Sequence, residues 1–236
     1  MHLHSCLSPC GDNDSTPNNI MGMASLCGLN LVALTDHNTC KNCPAFFQAA
    51  NRYGIIPIAG MELTTSEDIH VVCLFEKLDD AMAFDEFIDS ERIKIKNKPH
   101  IFGDQRVLDG NDNFLCEVDT LLINATGISV TDVVRVVNRF GGLCYPAHID
   151  RYSNGIIAVL GSLPTDVGFT LYELNDGSKI EEYSAKYDIP KERFIISSDA
   201  HALEDMKDKE HYFDLSDKMG STDLVRAELF RLLRRL

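Results

Sequence analysis

Met1-His2-Leu3-His4 begins the sequence and is the stretch around which the rest of the chain is interpreted. Side chains on an extended segment alternate between two sides, so histidines separated by one residue point the same way. Histidine is the commonest metal ligand, and this pair would form half of a metal site. The other candidate ligands are scattered through the chain, each beside an apolar run: Asp36, His37, Glu62, His70, His148, Asp199 and His201.

Ligands this far apart meet only if the fold brings strand ends together. Apolar runs at 31–34, 55–59, 70–75, 143–145, 169–174 and 194–198 predict strands after a first strand at the N-terminus, while 118–123 is helix or strand. About seven strands separated by helices predict a parallel α/β sheet, and closure into a barrel is plausible. Active sites of such barrels lie at the C-terminal strand ends. His70 is the exception, because it lies where its strand begins.

Local signals place the helices and one irregular region. Thr16-Pro17 and Ser129 read as helix starts, and further helices are expected at 44–53, 79–95 and 222–236. Leu224, Leu229, Leu232 and Leu233 of the last helix are expected to cap the core. The segment 97–115 is rich in Gly, Asn and Asp and predicts a loop excursion.

Composition limits the class of protein. The 236 residues suffice for a single domain spanning 1–236. No apolar run has the 18 or more residues of a membrane helix, and no secretory signal is visible, so a cytoplasmic location is expected. The 36 acidic and 22 basic residues give a net charge of −14, which argues against extended nucleic-acid binding and anionic membranes.

Eight cysteines without a secretory signal are expected to be reduced. Cys6 with Cys10 and Cys40 with Cys43 are close pairs that would suit a zinc site or a redox pair. Free thiols in loops explain them more simply, so these cysteines are left out of the predicted site.

A lone histidine is more often structural than a metal ligand. Here, however, six of the eight histidines lie beside apolar runs together with Asp or Glu, which independent placement explains poorly. Asp36 suits a turn, a helix cap or a supporting role beside a ligand. Arg151 would either grip a phosphate oxygen or pair with a surface carboxylate.

The motifs together resemble the PHP (polymerase and histidinol phosphatase) family of metal-dependent phosphoesterases. They occur in the family's order: Met1-His2-Leu3-His4-Ser5, Leu34-Thr35-Asp36-His37, Gly60-Met61-Glu62, the His70 strand, Pro146-Ala147-His148 and Ser198-Asp199-Ala200-His201. The resemblance implies a distorted, seven-stranded, TIM-like (β/α) barrel holding two to three divalent ions, namely zinc, manganese or iron. Only Met1 precedes the histidine pair, so we expect a short first strand or a shortened chain.

The resemblance also implies ligand sets for a trinuclear site. His2 and His4 would bind one ion with bridging Glu62 and Asp199, and His70 and His148 would join Glu62 at a second. His37 and His201 would bind the third with a residue from the loop after the first strand, for which Asp12 is chosen and Asp14 is the substitute. The implied catalytic residues are Asp199, His201 and Arg151, with His201 or a metal-bound water as the candidate general acid.

The implied reaction is attack of a metal-bridging hydroxide on phosphorus. The expected substrate and partner is a small phosphorylated molecule, a phosphomonoester or phosphodiester resembling a nucleotide or histidinol phosphate. An amidohydrolase-type hydrolase remains the enzymatic alternative, since that class also begins with His-X-His on a barrel strand. A catalytically inactive, metal-binding barrel with a regulatory role is the non-enzymatic alternative.

Overall fold

The computed structural model describes residues 1–215 and 221–236, which form a mixed α/β fold. The helices of these residues are α1 (Pro17–Leu26), α2 (Cys43–Tyr53), α3 (Leu78–Glu91), α4 (Pro99–Phe102), α5 (Val130–Arg139), α6 (Ile156–Leu160), α7 (Ile180–Tyr187) and α8 (Thr222–Leu233). The strands are β1 (Leu31–Leu34), β2 (Ile56–Thr64), β3 (His70–Phe75), β4 (Arg106–Leu108), β5 (Phe114–Glu117), β6 (Leu143–Pro146), β7 (Tyr172–Leu174) and β8 (Phe194–Ile196).

The largest sheet has the strand order β1-β2-β3-β6. β1 and β2 are parallel, but β3 is antiparallel to both β2 and β6. The expectation of a parallel sheet is therefore wrong for β3, because the link at 65–69 is too short for the crossover that parallel neighbours need. Reversing β3 brings its first residue, His70, to the end of the sheet where β1, β2 and β6 finish. The apparent exception in the sequence thus follows from strand direction.

Two smaller sheets complete the strand pairing of the described residues: antiparallel β4-β5 and parallel β7-β8. The first residues of the chain lie between the larger sheet and β8. Thr35 donates its backbone N–H to Leu3 at 3.0 Å, and His4 donates to Ala200 at 2.9 Å. On the far side, a backbone hydrogen bond of 2.9 Å from Ile149 to Glu173 links the loop after β6 to β7.

Local sequence signals mark several element ends correctly. Thr16 caps α1 by accepting from the N–H of Asn19, and Ser129 caps α5 by accepting from Asp132. Helix α3 ends at Glu91, earlier than expected, and 118–123 forms neither a helix nor a strand. The excursion at 97–115 is more regular than expected, since it holds α4, β4 and the start of β5.

Two apolar clusters fill the interior. The larger one lies among α1, α2, α3, α5 and the sheet, and Phe46 and Phe84 are fully buried within it. In the smaller one, Leu229 and Leu233 of α8 pack with Ala33 of β1 and residues of neighbouring strands. Leu224 is 53% exposed, so the expectation that it caps the core is wrong. None of the helices in the described part of the chain has the length and hydropathy that a membrane crossing requires.

Gly60 provides a test of the packing of β2 against its neighbours. A Cβ atom there would lie 2.7 Å from the carbonyl oxygen of Cys73 and 2.8 Å from a methyl carbon of Thr35. Gly60→Ala should therefore lower the free energy of unfolding by about 1–3 kcal/mol, as overpacking of a tight core does. Gly22→Ala is the matched control, because its Cβ would meet only Tyr53 at 3.5 Å and helix propensity favours Ala by about 0.5–1 kcal/mol. Urea denaturation measures both, and equal stability of the two variants would contradict this account.

Candidate metal centre

Strand direction gathers the candidate ligands at one end of the fold. His37 follows β1 and forms a single bridge with Glu62 in β2, and Thr64 pairs with His70 in β3. His148 lies two residues beyond β6, while Leu3 pairs with Ala200 beyond β8. These backbone pairings carry the side chains of separate segments into one buried pocket.

The first group comprises His2, His4, Glu62 and Asp199, all buried, with ligating atoms within 4.8 Å of one another. The Nε2 atoms of His2 and His4 are 3.2 Å apart. Each also lies 3.1–3.3 Å from a carboxylate oxygen of Glu62 and of Asp199. The structure therefore brings together the set that sequence resemblance gives to one ion.

Two further groups share residues with the first: His37, Glu62 and His70, and His4, His37 and His201. Glu62 Oε1 lies 2.9 Å from His70 Nδ1, and Glu62 Oε2 lies 3.0 Å from His37 Nδ1. His148 Nε2 also reaches Glu62 Oε1, at 3.2 Å, although His37 takes its place in the compact group. His37 therefore belongs to two of the three groups, whereas the sequence resemblance places it only with the third ion.

The loop carboxylates expected to complete the third group lie elsewhere. Asp12 and Asp14 are exposed, and Asp12 Oδ1 accepts a hydrogen bond from the N–H of Asp14 at 2.7 Å. Neither belongs to any of the three groups found among the described residues. The backbone N–H of Asp12 instead donates to the carbonyl oxygen of His201, which ties the loop to the segment after β8.

Two buried carboxylates orient the histidine pair: Asp36, for which the sequence allowed a supporting role, and Glu173, which sequence reasoning missed. Glu173 Oε1 lies 2.9 Å from His2 Nδ1, which leaves His2 Nε2 directed into the pocket. His4 Nδ1 contacts Ser8 Oγ at 3.0 Å, and that hydroxyl donates to Asp36 at 2.7 Å. Such partners fix the ring orientation and tautomer of metal-binding histidines. A charged residue inside the apolar run at 169–174 was the available signal for Glu173.

Burial and charge act in opposite directions on these histidines. Burial lowers the pKa of His4, but the carboxylates of Asp199 and Glu62 outweigh it and raise the pKa to about 9. Burial dominates for His37 and His201, whose pKa values fall to about 3 and about 4. The pKa of Glu62 is held well below its usual range, because the histidines around it offset the effect of burial.

Arg151 is paired with the first group. Its Nη1 lies 2.5 Å from Asp199 Oδ2, and its side chain is 43% exposed while that of Asp199 is almost fully buried. Of the two roles considered for Arg151, the structure thus shows carboxylate pairing, with a buried partner rather than one at the surface.

The donor set fits divalent metal ions. Imidazole nitrogens and carboxylate oxygens are the ligands that zinc, manganese and iron share. Two buried side-chain atoms at the centre, Glu62 Oε2 and His37 Nδ1, have no well-formed hydrogen bond. Since buried polar atoms are normally satisfied, their convergence at this point indicates a site built for cations.

The paired cysteines are not members of the ligand groups found among the described residues. Cys40 and Cys43 are buried and share the carbonyl oxygen of Gly60, at 3.2 and 3.7 Å. Cys6 is buried and Cys10 exposed. The three ligand groups found among residues 1–215 and 221–236 contain histidine and carboxylate only.

A family model described as PHP domain matches residues 1–195. The comparison with curated proteins gives no match. Among solved structures, a lesion-specific endonuclease from Pyrococcus furiosus, endonuclease Q, is 17% identical with a TM-score of 0.59, covering 96% of this chain and 55% of that one. A complex of endonuclease Q with a 27-mer duplex carrying an abasic lesion is 19% identical with a TM-score of 0.58, covering 86% and 48%. This chain spans about half the length of those endonucleases.

Two other similar structures match over nearly their whole length. One is a protein from Bifidobacterium adolescentis provisionally assigned as a metal-dependent phosphoesterase, 17% identical with a TM-score of 0.59, covering 98% and 94%. The other is an amidohydrolase from Chromobacterium violaceum with bound sulfate, 20% identical with a TM-score of 0.58, covering 92% and 91%. At these identities the similarity shows a shared fold.

The expected partners need correction. The sequence predicts a small phosphorylated substrate, and its net charge argues against extended nucleic-acid binding. That expectation is wrong, since a structure with this fold holds a 27-mer DNA duplex with the lesion at its active site. A net charge of −14 is a sum over the whole surface and carries no information about one face.

Metal loading tests the central position of Glu62. Glu62→Gln should lower metal affinity by at least about a hundredfold, because even supporting residues of metal ligands cost 10- to 100-fold when changed. Asp12→Asn should bind metal as the unaltered protein does, since Asp12 lies outside the three groups. Calorimetric titration with Mn²⁺ or Zn²⁺ after removal of bound ions measures both. A comparable loss in Asp12→Asn would place the loop carboxylate among the ligands.

The stability of the metal-free protein should depend on pH in both directions. His4, with its pKa raised to about 9, stabilises the fold fully below pH 6.5, and this contribution is lost as the pH rises to 9. His37 and His201 stay neutral in the folded protein, so stability also falls as the pH decreases from 6.5 towards 4. Unfolding in EDTA should therefore require most urea near pH 6.5. His4→Gln should flatten the alkaline side, and stability that rises from pH 6.5 to 9 would contradict the assignment.

Proposed function

The chain belongs to the PHP domain family, and from this we propose that it is a metal-dependent phosphoesterase acting on phosphodiester bonds of nucleic acid. The group of His2, His4, Glu62 and Asp199 carries the proposal. These four side chains are buried, and their ligating atoms lie within 4.8 Å of one another, which is the arrangement that an ion needs. The DNA duplex held by the structurally similar endonuclease supports the substrate class.

We assign ligand roles to the residues that converge in the pocket. His2, His4, Glu62 and Asp199 would hold one ion, Glu62 with His70 and His37 or His148 a second, and His4, His37 and His201 a third. Zinc, manganese and iron all suit these donors. Bound divalent ions would supply Lewis acidity, which activates water and neutralises charge on the phosphoryl oxygens.

The remaining residues orient the ligands and the substrate. Glu173 and Ser8 hold the Nδ1 atoms of His2 and His4, so that both Nε2 atoms face the pocket. Arg151 shares one N–H with Asp199, and its other donors are available to a non-bridging phosphate oxygen. His201 is neutral at pH 7 because burial lowers its pKa to about 4, which favours a ligand over a general acid.

We further propose that the whole chain is one domain and that its sheets close into a seven-stranded, TIM-like barrel. The N-terminal residues would be the first strand, followed around the ring by β1, β2, β3, β6, β7 and β8. Backbone hydrogen bonds at Leu3, Ala200 and Glu173 bridge the sheets and support closure. Packing of α8 against β1 supports the single domain. The cytoplasmic location stays a prediction.

Amide hydrolysis is the second candidate function. It is favoured by the similar fold of the amidohydrolase that carries a bound sulfate. It shares the metal site with the main proposal and differs in the bond cleaved. Release of ammonia from amides distinguishes it from phosphoester turnover.

Turnover by the metal-loaded protein tests the proposal. It should cleave bis(p-nitrophenyl) phosphate and a labelled oligonucleotide, and Asp199→Asn and His2→Ala should each lose at least about a hundredfold in kcat/KM, as loss of a metal ligand requires. Glu181→Gln is the control, because Glu181 lies at the surface, where it pairs with Lys191. Amide hydrolysis without phosphoester turnover would overturn the proposal, and stable metal binding without either activity would point to a regulatory barrel.

A further inference from the structure

The segment 93–102, Ile93-Lys94-Ile95-Lys96-Asn97-Lys98-Pro99-His100-Ile101-Phe102, differs in charge from the rest of the chain. It carries three lysines, a histidine and no acidic residue, whereas the whole chain has a net charge of −14. Apolar and basic residues alternate in its first half. We call this segment the basic strip.

The backbone of the basic strip is held in a defined shape. Its first half is extended and runs antiparallel to the segment 119–126, with single bridges from Arg92 to Thr126 and from Lys96 to Thr120. Leu121 donates its N–H to Ile95 at 2.7 Å, and Asn97 donates to Asp119 at the same distance. Its second half is the short helix α4.

The side chains of the strip are unusually exposed for their types. Ile93, Ile95 and Ile101 are 52–60% exposed, and Phe102 is 38% exposed. Clustered exposed apolar groups on a soluble fold mark interaction sites. Lys94 pairs with Asp89 at 2.6 Å. Lys96 and Lys98 are exposed, and within residues 1–215 and 221–236 neither forms an ion pair.

The strip is fixed to the loops that carry the candidate ligands. Gly103, at its end, packs against the carbonyl of Pro9 so closely that a Cβ atom would collide with it, and Asn97 Nδ2 donates to Gly103 at 3.0 Å. Ser8, the neighbour of Pro9, contacts His4. The partner segment is tied to the residue after His37, since Asn38 Nδ2 donates to the carbonyl oxygens of Leu122 and Asn124 at 2.6 and 2.9 Å. The strip therefore borders the metal centre.

We propose that the basic strip binds a single-stranded stretch of nucleic acid and guides its backbone to the metal centre. Lys96 and Lys98 contact phosphates, since neither forms an ion pair within the described part of the chain. Phe102 and Ile101 provide the apolar surface on which unpaired bases stack. An acidic peptide would satisfy the lysines but has no need of the exposed aromatic ring. The inference rests on the proposed function, because it names the substrate surface of that same site.

Binding of a fluorescent dT15 oligonucleotide in EDTA tests the strip without cleavage. In Lys96→Ala/Lys98→Ala the slope of log K against log salt should fall by about 1.4, the value for two phosphate contacts on a single strand. Phe102→Ala should weaken binding by about 5- to 150-fold, as loss of one stacking partner does. Lys186→Ala/Lys191→Ala is the matched control, since it removes two lysines near α7, outside the strip. Thermal unfolding checks that each variant is folded.

Wild-type affinity in both strip variants, or an equal loss in the control, would overturn the inference. If the strip variants bind oligonucleotide normally but no longer bind phosphatidylserine vesicles, the inference is overturned and the strip is instead a membrane-binding surface. Hydrolysis of bis(p-nitrophenyl) phosphate by the metal-loaded, unaltered protein is measured alongside, because this small diester lacks the run of phosphates and bases that the strip would bind. Turnover of that compound reports the proposed function separately, so either conclusion can fail while the other holds.

Discussion

The buried carboxylate of Glu62 is the interaction on which the site depends. Its two oxygens lie 2.9–3.3 Å from ring nitrogens of five histidines: His2, His4, His37, His70 and His148. A carboxylate that is 1% exposed must be paired, because an isolated charge cannot be carried in a low-dielectric interior. Because these histidines come from four separate segments of the chain, with His2 and His4 together on the first, the pairing also constrains how the strands meet. The central position of Glu62 thus joins the fold to its chemistry.

The same pocket sets neighbouring imidazoles to opposite charge states. The pKa of His4 rises to about 9 beside two carboxylates, while that of His37 falls to about 3 because burial disfavours its charged form. Without bound ions, protons on His2 and His4, whose pKa values are both raised, balance the negative charge of Glu62 and Asp199. Divalent ions would balance it with every imidazole neutral, which is the form that binds metal. Glu173 and Asp36, which orient the histidines directly or through Ser8, keep that arrangement in place.

Charge on this protein has to be considered by location. The net value of −14 suggested a surface hostile to nucleic acid, yet the chain shares its fold with an endonuclease that holds DNA. The basic strip at 93–102 and Arg151 both lie beside the centre, where local fields decide which anions approach. A strongly acidic remainder would repel a polyanion elsewhere and so direct it to this face.

Much of the fold and the site was readable from sequence alone, because the signals are local. Hydrophobic runs and cap chemistry at Thr16 and Ser129 need only neighbouring residues, and a histidine pair on an extended segment aligns by backbone geometry. Sequence could not give the reversed direction of β3, the outward position of Asp12 or the part played by Glu173. Each of these depends on which distant segments pack together, and burial, hydrogen bonding and strand pairing across the chain are decided only when the tertiary structure forms.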